Sequence, residues 1–167
     1  GLILAHAATN MLNDYFDVKF KVDKPDVPTS RYRPHPYLFG LISSKTFLTV
    51  IIILYLFVVL IAFYIYLLVN SIILLILIIG LLASIFYTLP LFPLKYKAVG
   101  EPLVLIIWGP FMVGGTYYAI TQTINYNVIL ASFPIGILVS LVLMANNIRD
   151  IEYDSSAGIK TIPIILG

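Results

Sequence analysis

The run Thr46-Phe-Leu-Thr-Val-Ile-Ile-Ile-Leu-Tyr-Leu-Phe-Val-Val-Leu-Ile-Ala-Phe-Tyr-Ile-Tyr-Leu-Leu68 carries no charged side chain from end to end. About 20 apolar residues suffice for an α-helix to cross the hydrocarbon core of a bilayer, so this stretch reads as a membrane span. Four similar stretches lie at roughly 1–18, 71–90, 101–122 and 127–149. Composition agrees: hydrophobic residues make up 60% of the chain and charged residues 11%, where a soluble domain has about 25% charged. The mean hydropathy is +1.01. The expected fold is all-α, a multi-pass transmembrane bundle with about five helices in this segment. Residue 1 is a Gly inside an apolar run and the chain stops in similar text at Gly167. The expectation is therefore a single membrane-embedded domain over 1–167, cut at both ends. With no Cys, disulfides, thiolate metal sites and Cys nucleophiles are excluded. A net charge of +2 without a basic tract argues against nucleic acid as a partner.

The charges also set a topology. Val69-Asn70-Ser71 and Thr123-Ile-Asn125-Tyr-Asn127, which join spans two to three and four to five, hold none. Lys19, Lys21, Lys24, Arg31, Arg33 and Lys45 follow span one, with Asp14, Asp17, Asp23 and Asp26. Lys95, Lys97 and Glu101 flank the loop after span three, and Arg149, Asp150, Glu152, Asp154 and Lys160 follow span five. Helices that alternate in direction put these three junctions on one membrane face, which the positive-inside rule assigns to the cytoplasm. Pro25, Pro28, Pro34 and Pro36 argue against a long helix in the first loop. Pro110, within Trp108-Gly-Pro-Phe-Met-Val-Gly-Gly115, is expected to kink span four, or to sit in a stripe of small residues that packs against a neighbouring helix.

Two polar strings interrupt the apolar text. The first is Asn10-Met-Leu-Asn13-Asp14-Tyr-Phe-Asp17, and the second is Asn146-Asn147-Ile-Arg149-Asp150-Ile-Glu152-Tyr-Asp154. On a helix, Asn10, Asp14 and Asp17 share one face near the cytoplasmic end of span one; Asn146, Asp150 and Asp154 do the same at the end of span five. Ionised side chains at membrane depth are rare and mark function. Carboxylates stacked this way repel one another, and a hard cation removes the conflict. Mg²⁺ takes carboxylate oxygens in octahedral geometry while keeping positions for substrate phosphates. The reading is a shared site in which Asp14, Asp17, Asp150 and Asp154 hold Mg²⁺ against a diphosphate, with Lys95, Lys97 and Arg149 completing the clamp. Interfacial salt bridges explain one such string, but explain two matching strings on one face poorly. His6 reads as an interhelical histidine or one that lines the cavity, and His35 as a turn residue or one that gates the acceptor.

These strings resemble the UbiA superfamily of intramembrane prenyltransferases. Its first motif, of the Asn-x-x-x-Asp-x-x-Asp type, matches Asn10, Asp14 and Asp17. Its second, Asp-x-x-x-Asp, matches Asp150 and Asp154. Tyr87-Thr-Leu-Pro90 followed by Lys95 is similar to the family's Tyr-Pro…Lys segment. Gly100-Glu-Pro102, Gly109-Pro-Phe-Met-Val-Gly-Gly-Thr-Tyr-Tyr118 and Gly158-Ile-Lys-Thr-Ile-Pro163 most resemble the branch acting on 1,4-dihydroxy-2-naphthoate in menaquinone biosynthesis. The resemblance implies about nine helices, of which five fall here, and an Mg²⁺-dependent transfer of a polyprenyl group from its diphosphate to an aromatic acceptor. It implies that Asp14, Asp17, Asp150 and Asp154 are catalytic through the metal. Asn10, Asn146, Asn147, Tyr87, Lys95 and Arg149 would bind or orient the diphosphate. Loss of diphosphate would leave an allylic cation, which aromatic faces steady and apolar walls shield from water. Acceptors such as 4-hydroxybenzoate or a glycerol-phosphate lipid fit the same motifs. A divalent-cation transporter fits less well, because transport sites lie near the midplane in broken helices.

Overall fold

The computed structural model describes residues 1–25, 35–89 and 94–167. Asp26, Arg31, Arg33, Pro28, Pro34 and Pro90 lie outside the described residues. Five long helical segments alternate in direction. Helix α1 spans Leu2–Lys19, α2 spans Ser44–Leu68 and α3 spans Ser71–Phe86. A 3-10 turn at Leu94–Tyr96 leads into α4, Gly100–Ile106, which runs through a π-turn at Ile107–Phe111 into α5, Met112–Thr121. Helix α6 spans Tyr126–Arg149, followed by the short helices α7, Ile151–Ser156, and α8, Ile162–Leu166. No strand occurs among the described residues; Lys97 and Lys160 form an isolated parallel bridge.

The helix starts follow from local capping. Ser43 Oγ accepts from Thr46 N at 3.1 Å, Asn70 Oδ1 from Ile72 N at 2.9 Å, and Asn125 Oδ1 from Asn127 N at 2.9 Å. Each satisfies a backbone donor that the first turn leaves without an intrahelical partner. Three segments, Ser44–Leu68, Gly100–Thr121 and Tyr126–Arg149, are long and apolar enough to cross a bilayer. Helix α3 is shorter than the span read from sequence, ending at Phe86 rather than near 90. Pro90 disfavours the helical conformation in the residue before it, so the chain leaves the helix early.

The bundle is apolar outside. Ile52, Leu56, Phe63 and Leu67 on α2, and Leu130, Leu138 and Val142 on α6, are exposed. The interior seam is tightest where α4 and the π-turn cross α6. A Cβ on Gly136 would lie 2.3 Å from Leu105 O, and one on Gly109 would lie 3.0 Å from Ser132 O. Glycine is required there because backbone meets backbone. Pro110 falls inside the π-turn, whose wider hydrogen-bond spacing accommodates a residue that has no N–H to donate. The expected break in span four is thus a local widening of one continuous helical segment.

The two ends of the bundle differ in chemistry. At one end Asn70 Nδ2 donates to Tyr118 Oη at 3.0 Å, tying the α2–α3 turn to α5. The other end gathers the Asp-bearing and Lys-bearing junctions, and the site lies there.

Candidate active site

Asp17, near the end of α1, is buried at 7% exposure. Its Oδ1 meets Lys95 Nζ at 2.5 Å, and its Oδ2 accepts from Asn13 Nδ2 at 2.8 Å. Asn13 Oδ1 in turn accepts from Thr88 Oγ1 at 2.7 Å and from Lys95 Nζ. Lys95 is held beside the end of α3, where its N donates to Tyr87 O at 3.1 Å. Burial pushes the Lys95 ammonium below its usual pKa, more than the opposing pull of Asp17, Asp23 and Asp14 raises it. A buried cation thus sits within reach of the carboxylates of Asp17, Asp23 and Asp14.

Asp14 and Asp23 come together at His35. His35, 2% exposed, directs Nε2 toward Asp23 Oδ2 at 3.3 Å and Asp14 Oδ2 at 3.9 Å. Its Nδ1 accepts from Leu38 N at 3.1 Å, so in the neutral ring the hydrogen resides on Nε2, facing the carboxylates. Asp14, Asp23 and His35 place one ligand atom each within 4.8 Å of one another. With its proton on that side, the His35 ring faces the two carboxylates at ion-pair distance.

The second string arrives from the opposite side. Asp150 closes α6 and opens α7. Arg149 grips it in a fork, Nε to Oδ1 at 2.8 Å and a terminal nitrogen to Oδ2 at 2.6 Å. Asp154, on α7, has its carboxyl pushed up to about 6 by burial first, then by the charges of Asp150 and Asp17, against a smaller pull from Lys95. That coupling joins the two strings: Asp154 feels Asp17 and Lys95, which belong to α1 and the 3-10 turn. Gly158, at φ +72°, ends α7. Ile159 N then donates to Asp154 O at 3.0 Å and Gly158 N to Ser155 O at 3.1 Å, a Schellman closure.

The donor set fits a divalent metal of the Mg²⁺ kind. In the group formed by Asp14, Asp23 and His35, the two carboxylates offer oxygens, which hard cations prefer. Burial first, and then the charges of Asp150 and Asp17, raise the Asp154 carboxyl, and a cation bound beside it would offset the repulsion among them.

Other residues singled out in the sequence lie as follows. Tyr87 is half-buried, with its ring 3.7 Å from where a Gly100 Cβ would sit, and lies within electrostatic reach of Asp17 and Glu101. Asn10 is exposed and bonds His6 Nε2 at 3.2 Å, one turn further into the bundle; His6 in turn meets Trp108 edge-on at 5.0 Å. Asn146 is exposed, whereas Asn147 donates to Glu101 Oε1 at 2.9 Å. Lys97 is exposed and bridges Lys160 through the backbone. Asn13, Thr88, Asp23 and Glu101 join the site without having been singled out for it by their sequence positions, and His35 joins it as more than a turn residue. The i, i+4 spacing of Asn13 and Asp17 is the signal that identifies the first of these. The others meet the site only through the folded loops.

The sequence pattern of the UbiA prenyltransferase family matches residues 1–167. The chain belongs to the UbiA prenyltransferase family. Among curated relatives, this UbiA chain is 42% identical over 90 residues to 1,4-dihydroxy-2-naphthoate octaprenyltransferase of Haemophilus influenzae, covering 54% of this chain and 29% of that protein. It is 32% identical over 165 residues to the protein of the same name from Bacillus subtilis, covering 96% of this chain and 50% of that one. Similarity also extends to 2-carboxy-1,4-naphthoquinone phytyltransferase of Synechocystis, at 32% over 81 residues, covering 48% of this chain and 26% of that protein. The chain spans half or less of the length of these relatives. No solved structure matches it significantly.

Proposed function

We propose that the protein carrying this segment transfers a polyprenyl group from its diphosphate to an aromatic acceptor, 1,4-dihydroxy-2-naphthoate, in quinone biosynthesis. Residues 1–167 would form part of one membrane-embedded domain whose site opens to the cytoplasm, where the Lys-rich junctions lie. The observation that carries the reading is Lys95 held on Asp17 at one end of an apolar bundle, with the second Asp string tied to the same end through Ala98–Lys160 and Glu101–Asn147. Naphthoate-type acceptors in the names of the relatives above support the choice of acceptor.

In this mechanism Asp14, Asp17, Asp150 and Asp154 hold the metal, with Asp23 beside Asp14. When bound, Mg²⁺ supplies positive charge to the diphosphate as the allylic C–O bond breaks. The Lys95 ammonium, fixed by Asp17 and Asn13, adds a second positive charge without reorganising. Asn10, Asn146 and Asn147, with Tyr87 and Arg149, orient the carboxylates or contact the phosphates. The apolar helices shelter the prenyl chain and keep water from the cation. The acceptor ring then forms the new carbon–carbon bond and releases its carboxyl group as carbon dioxide.

The test supplies the full-length protein with geranylgeranyl diphosphate, Mg²⁺ and a panel of aromatic acceptors, following diphosphate release and prenylated product. Product with the naphthoate alone supports the proposal entire. Product with a different acceptor retains the chemistry and corrects the substrate. Asp14→Ala and Asp150→Ala should each abolish turnover in a folded protein, and full activity in either would sink the metal-site assignment.

A further inference from the structure

Glu101 is 2% exposed, yet the transfer reaction gives it no task. A buried carboxylate is costly unless its partners are well placed, so its contacts call for an explanation. Oε1 accepts two hydrogen bonds, from Asn147 Nδ2 at 2.9 Å and Ile162 N at 3.1 Å. Ser140 Oγ donates to the Glu101 backbone carbonyl at 2.9 Å. Oε2 has no hydrogen-bond partner among the described residues.

These contacts bracket the second Asp string. Asn147 stands in the last turn of α6, before Asp150, and Ile162 opens α8, after Asp154. A single oxygen therefore fastens both ends of the stretch that carries the two aspartates. The Lys95 side is tied to the same stretch: Ala98 N donates to Lys160 O at 2.7 Å, and Glu101 itself follows the 3-10 turn that holds Lys95. An ionised carboxylate only accepts, so it engages the NH₂ end of Asn147 and fixes how that amide is turned.

We propose that Glu101 is a positioning residue for the metal-diphosphate site, clipping Asn147 to Ile162 so that Asp150 and Asp154 stay in register with Lys95 and Asp17. The proposal rests on the prenyltransferase reading above. Partners that orient metal-binding groups from behind typically change metal affinity by about 10–100-fold when removed.

The experiment measures Mn²⁺ binding to the full-length protein by EPR, with and without geranylgeranyl diphosphate, beside the Mg²⁺ dependence of product formation. Glu101→Ala should weaken Mn²⁺ binding and raise half-saturating Mg²⁺ by about tenfold or more, with a smaller loss of kcat at saturating metal. Glu101→Gln keeps an acceptor oxygen and should restore binding to within about threefold of wild type. Asn147→Ala removes the other half of the same contact and should reproduce Glu101→Ala. The double variant should be no worse than Glu101→Ala alone, because Asn147 acts through Glu101. Wild-type Mn²⁺ affinity in Glu101→Ala, or a Glu101→Gln protein as weak as the alanine variant, would overturn the proposal. If Glu101→Ala does not fold, Asn147→Ala decides, and wild-type affinity there overturns it equally. Failure of the wild-type protein to bind Mn²⁺ with the diphosphate would instead overturn the prenyltransferase reading, and this inference with it.

Discussion

Gly136→Ala probes the helix crossing on which the second Asp string depends. The added Cβ would stand 2.3 Å from Leu105 O and 3.1 Å from Gly109 Cα. Both are backbone atoms, so no side chain can rotate away, and α4 must move from α6 by about 0.7 Å to reach even 3.0 Å from Leu105 O. Overpacking a well-filled interior typically costs about 1–3 kcal/mol, and a backbone obstacle puts this case at the upper end. Alanine's better helix propensity returns at most about 1 kcal/mol. The expected net loss is therefore about 2 kcal/mol. Gly114→Ala is the control: its Cβ would meet Ile129 Cγ1 at 3.6 Å, an ordinary contact, so propensity alone should leave it neutral or slightly stabilised. Reversible SDS unfolding of the full-length protein in mixed micelles measures both. Leu105 follows Glu101 by one turn, so separation at the crossing should also loosen the Glu101–Asn147 contact and weaken Mn²⁺ binding. Equal stability of the two variants would refute the crossing geometry and the reasoning built on it.

Lys95→Met removes a buried cation from Asp17. Truncating one member of a buried pair costs about 3–5 kcal/mol, and losing a preorganised charge at the leaving group should lower the single-turnover rate by about 10²–10³. A rate within threefold of wild type would remove Lys95 from the mechanism. Asn13→Ala should impair transfer more than Asn10→Ala, because Asn13 bonds both Asp17 and Lys95 whereas Asn10 bonds His6; the reverse order in kcat/KM would refute that assignment. For Asp154 the sign follows from a folded pKa raised from 3.8 to about 6. The folded state then binds more protons than the unfolded chain between those values, so its stability falls as pH rises from about 4 to about 6 and levels off above. Thermal unfolding in EDTA should show this slope, and Asp154→Asn should flatten it; an unchanged slope would assign it to another group.

The membrane class, the alternation of the helices and the polar strings at one end of the bundle were all legible in the residues. Each depends on local quantities: the length of an apolar run, a residue spacing, the positions of Lys and Arg. Asn70 and Asn125, in the charge-free connections, cap the helices that follow them. Tertiary structure decided the rest. Burial and turn geometry placed Lys95 on Asp17, joined His35 to Asp14 and Asp23, and set Glu101 behind Asn147, pairings separated by tens of residues that no local pattern encodes. Asn13 bonds Asp17 through their one-turn spacing on α1, but that Thr88 and Lys95 also meet Asn13 is decided by what packs against α1. The π-turn around Pro110 and the bare contact at Gly136 arose for the same reason. A helix forms from interactions within a few residues, but which of its faces meets a partner is fixed only when the partner is present.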